Sequence, residues 1–355
     1  MASVPIEKII KAAVDRGASD LHIKAGDVFR ARIEGRLVAL TKQRLTPEQT
    51  RAVAVRLMAS DDDRARVDEL TDYDCSWGLP GVGRFRVNLL RQRSSFMIVM
   101  RVIPFTIPSL DELGLPDAVR ELAELGSGLV LVSGVSGSGK SSTIAAMLHH
   151  LNQHHHRHIL TIEDPIEFLH RDIKCSLTQR EVGIDTATLA TGVRAALRQD
   201  PDVIVVGDVS DGDTLDTAIK AAETGRLVIG AMPTPDVTAT VAQALAMLPT
   251  TEAGIGRIRF SEVLAGIVSR QLLPRKDGSG RVAAVEILLG TGPVRDALKD
   301  PARLSDLTVQ MARQHGKTGM QTYEQHVAQL VKDGVVSAQT ARALGTEAGD
   351  ARGRH

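Results

Sequence analysis

Aromatic residues are scarce in this sequence, and neither sign of charge is in excess. Only 6 Phe, 1 Trp and 2 Tyr occur among 355 residues, and 43 Lys and Arg balance 43 Asp and Glu. A dedicated nucleic-acid-binding protein usually has a basic face and aromatic rings that stack on bases. The composition therefore argues against a nucleic-acid partner.

Cysteine is scarcer still, with Cys75 and Cys175 as the two examples. They lie far apart in the chain and neither belongs to a CxxC pair, which excludes a disulfide framework and a four-cysteine zinc site. We expect both to be free thiols in a hydrophobic core.

Long apolar runs are absent as well. No window approaches the roughly 18 uncharged apolar residues that a membrane span needs. The start, MASVPIEKIIKAAVDRG, lacks the apolar core of a secretion signal. The sequence therefore predicts a cytoplasmic protein with no direct membrane insertion.

The composition is otherwise that of a globular protein, with 43% hydrophobic and 24% charged residues at a length typical of about two domains. The first part mixes helix and strand patterns. An amphipathic helix is expected over residues 5–16 and a hairpin around Glu34-Gly35. A second helix is expected from the N-cap Thr46 to about Met58.

Prolines separate this region from the next. Two more strands are expected within residues 83–103, and prolines follow at positions 104, 108 and 116. Beyond them the apolar runs are uniform rather than alternating, as in strands that helices cover on both faces. The predicted divisions are an N-terminal α+β domain over 1–105, a linker over 106–116, an α/β core over 117–292, and a C-terminal helical region and tail over 293–355.

The second region has the strand and helix alternation of an α/β fold with a mostly parallel sheet. Helical patterns dominate from about residue 293, and the polar tail GTEAGDARGRH is expected to be disordered. The predicted strands are Leu129 to Ser133, His158 to Ile162, Val203 to Val206, Leu227 to Ala231 and Val282 to Leu288.

A phosphate-binding loop follows the first of these strands. Residues 134–141, GVSGSGKS, match G-x-x-x-x-G-K-[ST] in full, between an apolar strand and a helical segment. Glycines allow the backbone N–H groups to approach phosphates, Lys140 supplies a positive charge, and Ser141 supplies a hydroxyl for Mg²⁺. The alternative is a glycine turn that binds nothing. The predicted nucleotide-binding residues are Gly134, Ser136, Gly137, Ser138, Gly139, Lys140, Ser141 and Ser142.

Carboxylates follow two later strands. The run VIVV ends in Gly207-Asp208, where a phosphate-loop enzyme holds magnesium, so Asp208 and Ser141 are the predicted Mg²⁺ residues. The run TIEDPIE places three acids after another apolar strand, at the edge where ligands of open α/β sheets bind. One of them could polarise an attacking water, although a solvated acidic loop fits the spacing equally well.

These motifs occur in an order that resembles the secretion ATPases of type II secretion and type IV pili. The segments that carry the resemblance are GVSGSGKSST, ILTIEDPIEF, ALRQDPDVIVVG and AAETGRLV. The branch of the family that retracts pili is similar over nearly the whole chain, including ASDLHI, GRFRVNLLRQ, IPSLDELGLP, SRQLLPRKDGSGRVAAVEIL and GMQTYEQ. Without a tetracysteine site or a long N-terminal extension, the chain is unlike the pilus assembly ATPases.

The resemblance implies a PAS-like N-terminal domain followed by a RecA-like ATPase domain. It implies ATP and Mg²⁺ as ligands, and a homohexamer or a ring mixed with related ATPase subunits. It further implies work at the inner face of the membrane, on a platform protein of the pilus base, in twitching motility.

The resemblance also implies roles for single residues. Glu167 falls where the family keeps its catalytic glutamate, and Lys140 and Ser141 match the phosphate-loop lysine and the magnesium-binding serine. Three arginines match those that the family offers to a neighbouring subunit's nucleotide, namely Arg84, Arg86 and Arg101. From the sequence alone these would be solvated charges on a sheet face.

Catalytic and coupling positions depart from the family pattern. Asp208 stands where the family has glutamate, which withdraws the carboxylate by about one carbon–carbon bond, roughly 1.5 Å. Pro233 replaces the histidine of the family's His box, and Arg295 is retained in altered surroundings. Two hypotheses follow: an ATP-hydrolysing motor, or an accessory subunit that binds nucleotide and hydrolyses it weakly.

Histidines cluster between positions 149 and 158, in the sequence HHLNQHHHRH. They have no carboxylate or cysteine partner at ligand spacing in the local sequence, which argues against a metal site. We therefore expect a solvated helix end here.

Overall fold

A computed structural model describes residues 5–33, 35–58, 60–103, 106–248 and 253–343. The chain divides into two compact units. Unit 1 comprises Met1–Thr106 with Glu167–Leu169, and unit 2 comprises Ile107–Ile166 with His170–His355. The polar tail that was expected to be disordered lies outside the described residues.

Unit 1 is an antiparallel sheet with helices that pack on it. Its helices are α1 (Ile6–Val14), α2 (Pro47–Leu57) and α3 (Asp61–Ala65). Its strands are β1 (Ala18–Lys24), β2 (Arg30–Ile33), β3 (Arg36–Ala39), β4 (Asp72–Leu79), β5 (Gly83–Gln92) and β6 (Ser95–Ile103). The strand order is β3-β2-β1-β6-β5-β4, and every neighbouring pair is antiparallel.

Local sequence explains most of unit 1. In β5, Phe85, Val87 and Leu89 are buried in alternation with more exposed residues, as expected for a sheet with one covered face. The predicted helix after Thr46 is confirmed as α2, with a capping box between Thr46 and Gln49. Strands β1 and β4 were not predicted, because their polar residues hide the alternation.

Unit 2 contains a seven-stranded sheet. Its strands are β7 (Gly128–Ser133), β8 (His158–Glu163), β9 (Ser176–Glu181), β10 (Val203–Val206), β11 (Leu227–Met232), β12 (Leu264–Pro274) and β13 (Arg281–Leu289). The order is β13-β12-β7-β11-β10-β8-β9. All neighbours are parallel except β12 and β13, which form an antiparallel pair at one edge.

Helices cover both faces of this sheet. They are α4 (Asp117–Glu124), α5 (Lys140–His154), α6 (Leu189–Ala196), α7 (Gly212–Glu223), α8 (Val237–Met247), α9 (Ala253–Val263), α10 (Gly292–Lys299), α11 (Asp306–Gln314), α12 (Tyr323–Lys332) and α13 (Ala338–Ala343). Two apolar clusters lie on the sheet, and both include residues of its buried central strands. No helix in the described ranges is long and apolar enough to cross a membrane.

All five predicted strands of this region are present, and the predicted C-terminal helices begin at Gly292. Two strands were missed. Strand β9 is a polar edge strand, SLTQRE, and β12 follows α9 without a turn signal. Neither cysteine forms a disulfide, as expected: Cys175 is buried, and Cys75 is half-buried against the unit 1 core.

Candidate nucleotide-binding site

The loop between β7 and α5 requires glycine at two positions. Gly134 has φ 152°, and a β-carbon there would overlap Ser138 Oγ and lie 2.5 Å from the carbonyl oxygen of Arg270. Gly139 has φ 96°, and a β-carbon there would lie 2.6 Å from Nη2 of Arg270. Backbone conformation disfavours a side chain at both positions; at Gly134 the Arg270 carbonyl also leaves no space, and at Gly139 the Arg270 guanidinium would have to move. The loop therefore curls tightly at the N-terminus of α5.

The polar groups of the loop fit a chain of phosphates. Lys140 Nζ donates to the carbonyl oxygens of Gly134 and Val135 at 2.7 and 3.3 Å, which holds the ammonium group across the loop. Ser138 is 3% exposed, and its buried Oγ has no hydrogen-bond partner in the described part of the chain. An N-terminal helix dipole, a positioned cation and an unpaired hydroxyl together suit an anionic ligand.

Arg270 of β12 lies directly behind this loop, and the sequence patterns gave no indication of it. Its side chain is buried, and its Nη1 donates to Thr143 Oγ1 in the first turn of α5. Burial lowers the pKa of the Arg270 guanidinium to about 10. The group therefore remains charged at neutral pH.

The candidate acids lie at the carboxyl ends of β8 and β10. Glu163 ends β8 and accepts from Thr161 Oγ1 at 2.6 Å and from Gln179 Nε2 at 3.1 Å. Asp208 follows Gly207, whose N–H donates to the carbonyl oxygen of Ile162 in β8 at 2.8 Å. Because the carboxyl ends of parallel strands meet at one sheet edge, unit 2 places Asp208 and the phosphate loop at the same edge.

Glu167 is exposed in the segment after β8. A buried carboxylate that sequence analysis missed holds the start of this segment: Glu181 of β9 is 3% exposed and accepts from the Ile166 N–H at 3.1 Å. The N–H of Glu181 in turn donates to Asp185 at 2.9 Å. The neighbouring edge strand thus fixes the backbone just before Glu167.

A buried polar chain anchors the segment that contains Pro233. Pro233 itself is exposed. The next residue, Thr234, bonds Thr240 at 2.7 Å, and Thr240 donates to Ser133 Oγ at 2.9 Å, at the end of the strand that precedes the phosphate loop. This polar chain therefore connects the segment after β11 to the end of β7, the neighbouring strand that leads into the phosphate loop.

A second set of contacts holds the same segment from the other side. The Val237 N–H donates to Glu286 Oε2 at 2.8 Å, and burial raises the pKa of Glu286 to about 7. The Tyr323 hydroxyl lies 3.1 Å from Ser269 Oγ and 3.2 Å from the carbonyl oxygen of Pro235. Strand β13 and helix α12 therefore both form hydrogen bonds with the segment after β11.

The three predicted arginines lie in unit 1, on the face of the sheet opposite its core. Arg84 and Arg86 alternate with buried residues of β5, and Arg101 of β6 is directly opposite Arg86. Arg101 Nε lies 3.1 Å from Asp20 Oδ1. The structure thus brings the three arginines together, and their contribution to a neighbouring subunit's site stays a prediction.

Comparisons with known proteins agree with this arrangement. The family model described as "Type II/IV secretion system protein" matches residues 2–349. The chain belongs to this family. It is 38% identical to the type IV pilus retraction ATPase PilT of Pseudomonas aeruginosa over 340 residues, which cover 95% of this chain and 97% of that protein. It is 36% identical to the type IV pilus ATPase PilU of the same organism, with coverage of 98% and 90%.

A solved structure supports the same conclusion. The pilus retraction motor PilT with bound ADP superposes with a TM-score of 0.85 at 42% identity, and the match covers 96% of each chain. This match confirms the expected fold class. That class has an N-terminal α+β domain of PAS-like type, followed by a RecA-like ATPase domain with C-terminal helices. The predicted membership of the secretion ATPases, on the retraction side, is confirmed as well.

Proposed function

We propose that this chain is an ATP-hydrolysing motor subunit of the pilus retraction type, which works in twitching motility. The observation that carries the proposal is the phosphate loop, where the backbone conformation at Gly134 and Gly139 disfavours a side chain and Lys140 spans the loop. The likeness to PilT over nearly the whole chain supports the same function. The proposed domain division follows the predicted boundaries, 1–105, 106–116, 117–292 and 293–355.

In the proposed reaction, the backbone N–H groups of residues 134–142 and Lys140 hold the β and γ phosphates of ATP. Glu167 accepts a proton from the attacking water. Ser141 and Asp208 would hold Mg²⁺, which supplies positive charge where the phosphoryl oxygens become more negative. The chain forms no covalent intermediate with the phosphate.

We propose that the arginines Arg84, Arg86 and Arg101 stabilise negative charge on the nucleotide of an adjacent subunit. Arg86 and Arg101 face each other across two strands, and like charges at such a distance destabilise a sheet unless an anion compensates them. Asp20 compensates one of them. A phosphate from a neighbouring copy would compensate the other, which supports a ring in which each site spans two subunits.

The proposed assembly is a hexamer of this chain, or a ring mixed with related ATPase subunits. Its proposed place is the cytoplasmic side of the inner membrane, where hydrolysis rotates the two domains and acts on a platform protein of the pilus base. The work is mechanical and directed at protein, in keeping with a balanced charge of 43 against 43.

A second candidate function is an accessory subunit that binds nucleotide and hydrolyses it slowly. Asp208 favours it, because a shorter carboxylate misplaces the magnesium-binding oxygen, and a misplacement of about 1 Å can cost about a hundredfold in rate. Pro233 favours it too, because proline can neither donate a hydrogen bond nor titrate.

ATP turnover of purified variants separates the two functions. A motor loses about 10²- to 10⁴-fold in kcat when Glu167→Gln removes the base, whereas Glu121→Gln, an exposed acid on α4, serves as the unchanged control. Turnover no faster than that of Glu167→Gln would leave only the accessory function. A gain in Asp208→Glu of up to about a hundredfold would measure the effect of the short carboxylate.

Subunit mixing tests the shared site. We expect Glu167→Gln rings and Arg101→Ala rings to be inactive alone. Mixed rings should regain activity, since some sites then combine an intact glutamate with an intact neighbouring arginine. Mixtures that stay inactive, although light scattering shows that they assemble, would place the arginines outside the neighbour's site.

A further inference from the structure

Among the described residues, one cluster of histidine and carboxylate side chains has the spacing of metal ligands and lies outside the candidate nucleotide site. It comprises Glu124 at the end of α4, His150 in the last turns of α5 and His155 just after α5, and we call it the α4–α5 cluster. His150 Nε2 lies 2.7 Å from Glu124 Oε1, and His155 Nε2 lies 3.6 Å from the same oxygen. All three donor atoms lie within 4.8 Å of one another. The carboxylate missing from the local sequence is supplied by a different helix.

The backbone that carries these donors is firmly held. Arg157 donates to the carbonyl oxygens of Glu124 and Leu125, both at 2.8 Å, and so ties the end of α4 to the segment after α5. The His155 N–H donates to the carbonyl oxygen of Leu151 at 2.8 Å, and the thiol of Cys175 lies 3.1 Å from the carbonyl oxygen of His155. Hydrogen bonds therefore hold the backbone at the two helix ends that carry these donors.

The donor set suits a divalent transition metal. Two imidazoles and one carboxylate, with a water in the fourth position, are a common zinc ligand set. Tetrahedral ligands at about 2.0–2.1 Å from zinc lie about 3.3 Å apart, and the two distances to Glu124 Oε1, 2.7 and 3.6 Å, bracket that value. The His150 side chain is 14% exposed and that of Glu124 is 42% exposed, so an ion can enter from the carboxylate side.

We propose that Glu124, His150 and His155 form a binding site for a zinc-class divalent ion, which clamps the C-terminal end of α5 to α4. Because α5 begins at the phosphate-loop residue Lys140, the ion would restrain the helix that carries the loop. The site does not depend on the proposed reaction, since none of its three residues has a role in ATP hydrolysis.

Calorimetric titration of the untagged, chelator-treated full chain with ZnCl₂ tests the proposal. We expect one ion per chain and a rise in melting temperature, and Co²⁺ should give the visible absorption of a tetrahedral site. Glu124→Gln and His150→Ala should each weaken Zn²⁺ binding at least tenfold. His156→Ala is the matched control, since this neighbour of His155 lies outside the cluster.

Two results would overturn the site. One is Zn²⁺ binding that Glu124→Gln leaves unchanged. The other is binding that His156→Ala weakens as much as His150→Ala does, which would show diffuse binding to a histidine-rich surface. Because Glu124 is exposed, its variant tests the site even where His150→Ala fails to fold.

A separate observation concerns Arg270, and the inference from it rests on the proposed function. The residue is 2% exposed, and its Nε has no hydrogen-bond partner. Among the described residues no carboxylate pairs with its guanidinium, and a buried charge without compensation is strongly destabilising. The guanidinium lies against the Gly139 turn and donates to Thr143 Oγ1.

We infer that Arg270 is a positioning residue whose charge is compensated by nucleotide phosphates bound on the other side of the loop. It supports the Gly139 turn from behind and adds a fixed positive charge that does not touch the ligand. Its contribution should therefore grow with the number of phosphates on the ligand.

Equilibrium binding to adenosine, ADP and ATP tests this role without measuring activity. Arg270→Gln should weaken ATP binding at least tenfold, ADP binding less, and adenosine binding little, while Arg275→Gln on the same hairpin should match the wild type. If Arg270→Gln weakened the binding of all three ligands equally, Arg270 would support the fold only, and the inferred charge effect would be wrong. Wild-type affinity in Arg270→Gln, with binding still lost in Lys140→Ala, would overturn this inference and leave the proposed function standing.

Discussion

At the residue scale, the proposed nucleotide site rests on a few positions with narrow requirements. Gly134 and Gly139 shape the loop, and Lys140 spans it by bonding the carbonyl oxygen of Gly134. The sequence motif identified all three. It did not identify Arg270 or Glu181, because nothing in a local pattern tells which distant residue lies behind a loop.

Gly139→Ala should weaken nucleotide binding more than tenfold. The new methyl group would lie 2.6 Å from the Arg270 guanidinium in a left-handed backbone conformation, so the backbone is strained and the Arg270 side chain must shift. Fluorescence titration with a labelled ADP measures the effect. Gly126→Ala is the control, because nothing lies within 4 Å of a β-carbon at that position. Comparable ADP affinities in the two variants would contradict the proposed role of the Gly139 turn in nucleotide binding.

Glu286→Gln should change how stability depends on pH. Burial raises the pKa of Glu286 to about 7 in the folded protein, above its unfolded value near 4.5, so the folded state binds a proton that the unfolded state has released. Proton binding by Glu286 therefore makes its full contribution to the free energy of unfolding below about pH 4.5. This contribution is lost as the pH rises through 7. The free energy of unfolding should fall by at most about 1.4 kcal/mol per pH unit in this range.

Urea unfolding at pH 5, 6 and 7 measures that slope. The Glu286→Gln variant can still accept from the Val237 N–H through its amide oxygen, and it should lose the decline in the free energy of unfolding between pH 5 and 7. Exposed Glu121→Gln should retain it. If the free energy of unfolding depended on pH in the same way in the wild type and in Glu286→Gln, Glu286 would not titrate in this range.

At the element scale, helix ends were the most predictable features. The signals at Thr46 identified both the start of α2 and its capping box. An equivalent box at Thr322 and Gln325 starts α12, and the sequence carries the same T-x-x-Q signal there. Edge strands such as β9 were hard to predict, because a strand that is exposed on one edge and polar lacks the uniform apolar run of its neighbours.

Thr46→Ala should lower the free energy of unfolding of unit 1 by about 0.5–2 kcal/mol. The variant loses the acceptor for the Gln49 N–H, which the Thr46 hydroxyl meets at 3.2 Å. Denaturant titration followed by tryptophan fluorescence measures the change. Thr46→Ser keeps the hydroxyl and should retain most of the wild-type stability, so equal losses in the two variants would assign the effect to the methyl group instead.

At the scale of the whole molecule, the chain holds two compact units with separate apolar cores. The core of unit 1 is formed by residues of unit 1, among them Leu89, and the cores of unit 2 include residues of its seven-stranded sheet. The single tryptophan, Trp77, lies on β4 of unit 1, with its ring centroid 5.7 Å from that of Phe85. Its fluorescence therefore reports on unit 1.

Leu89→Ala should destabilise unit 1 by about 2–5 kcal/mol, because the side chain is 1% exposed and its truncation leaves a cavity. The Trp77 transition should move to lower denaturant, while ADP binding below that transition stays within a few fold of wild type. The variant could instead lose ADP binding at denaturant concentrations where Trp77 fluorescence still reports a folded unit 1. That result would contradict the conclusion that the two units have separate cores.

The sequence by itself determined most strands and helices of unit 2, the phosphate loop and the family, since each depends on patterns within one short segment. Only the tertiary structure decided which strands are neighbours. Strand β12 lies beside β7, so Arg270 comes behind a loop more than a hundred residues earlier, and α4 lies beside the end of α5, so Glu124 joins two histidines. Such contacts arise from sheet order and helix packing, which bring together residues that no local periodicity connects.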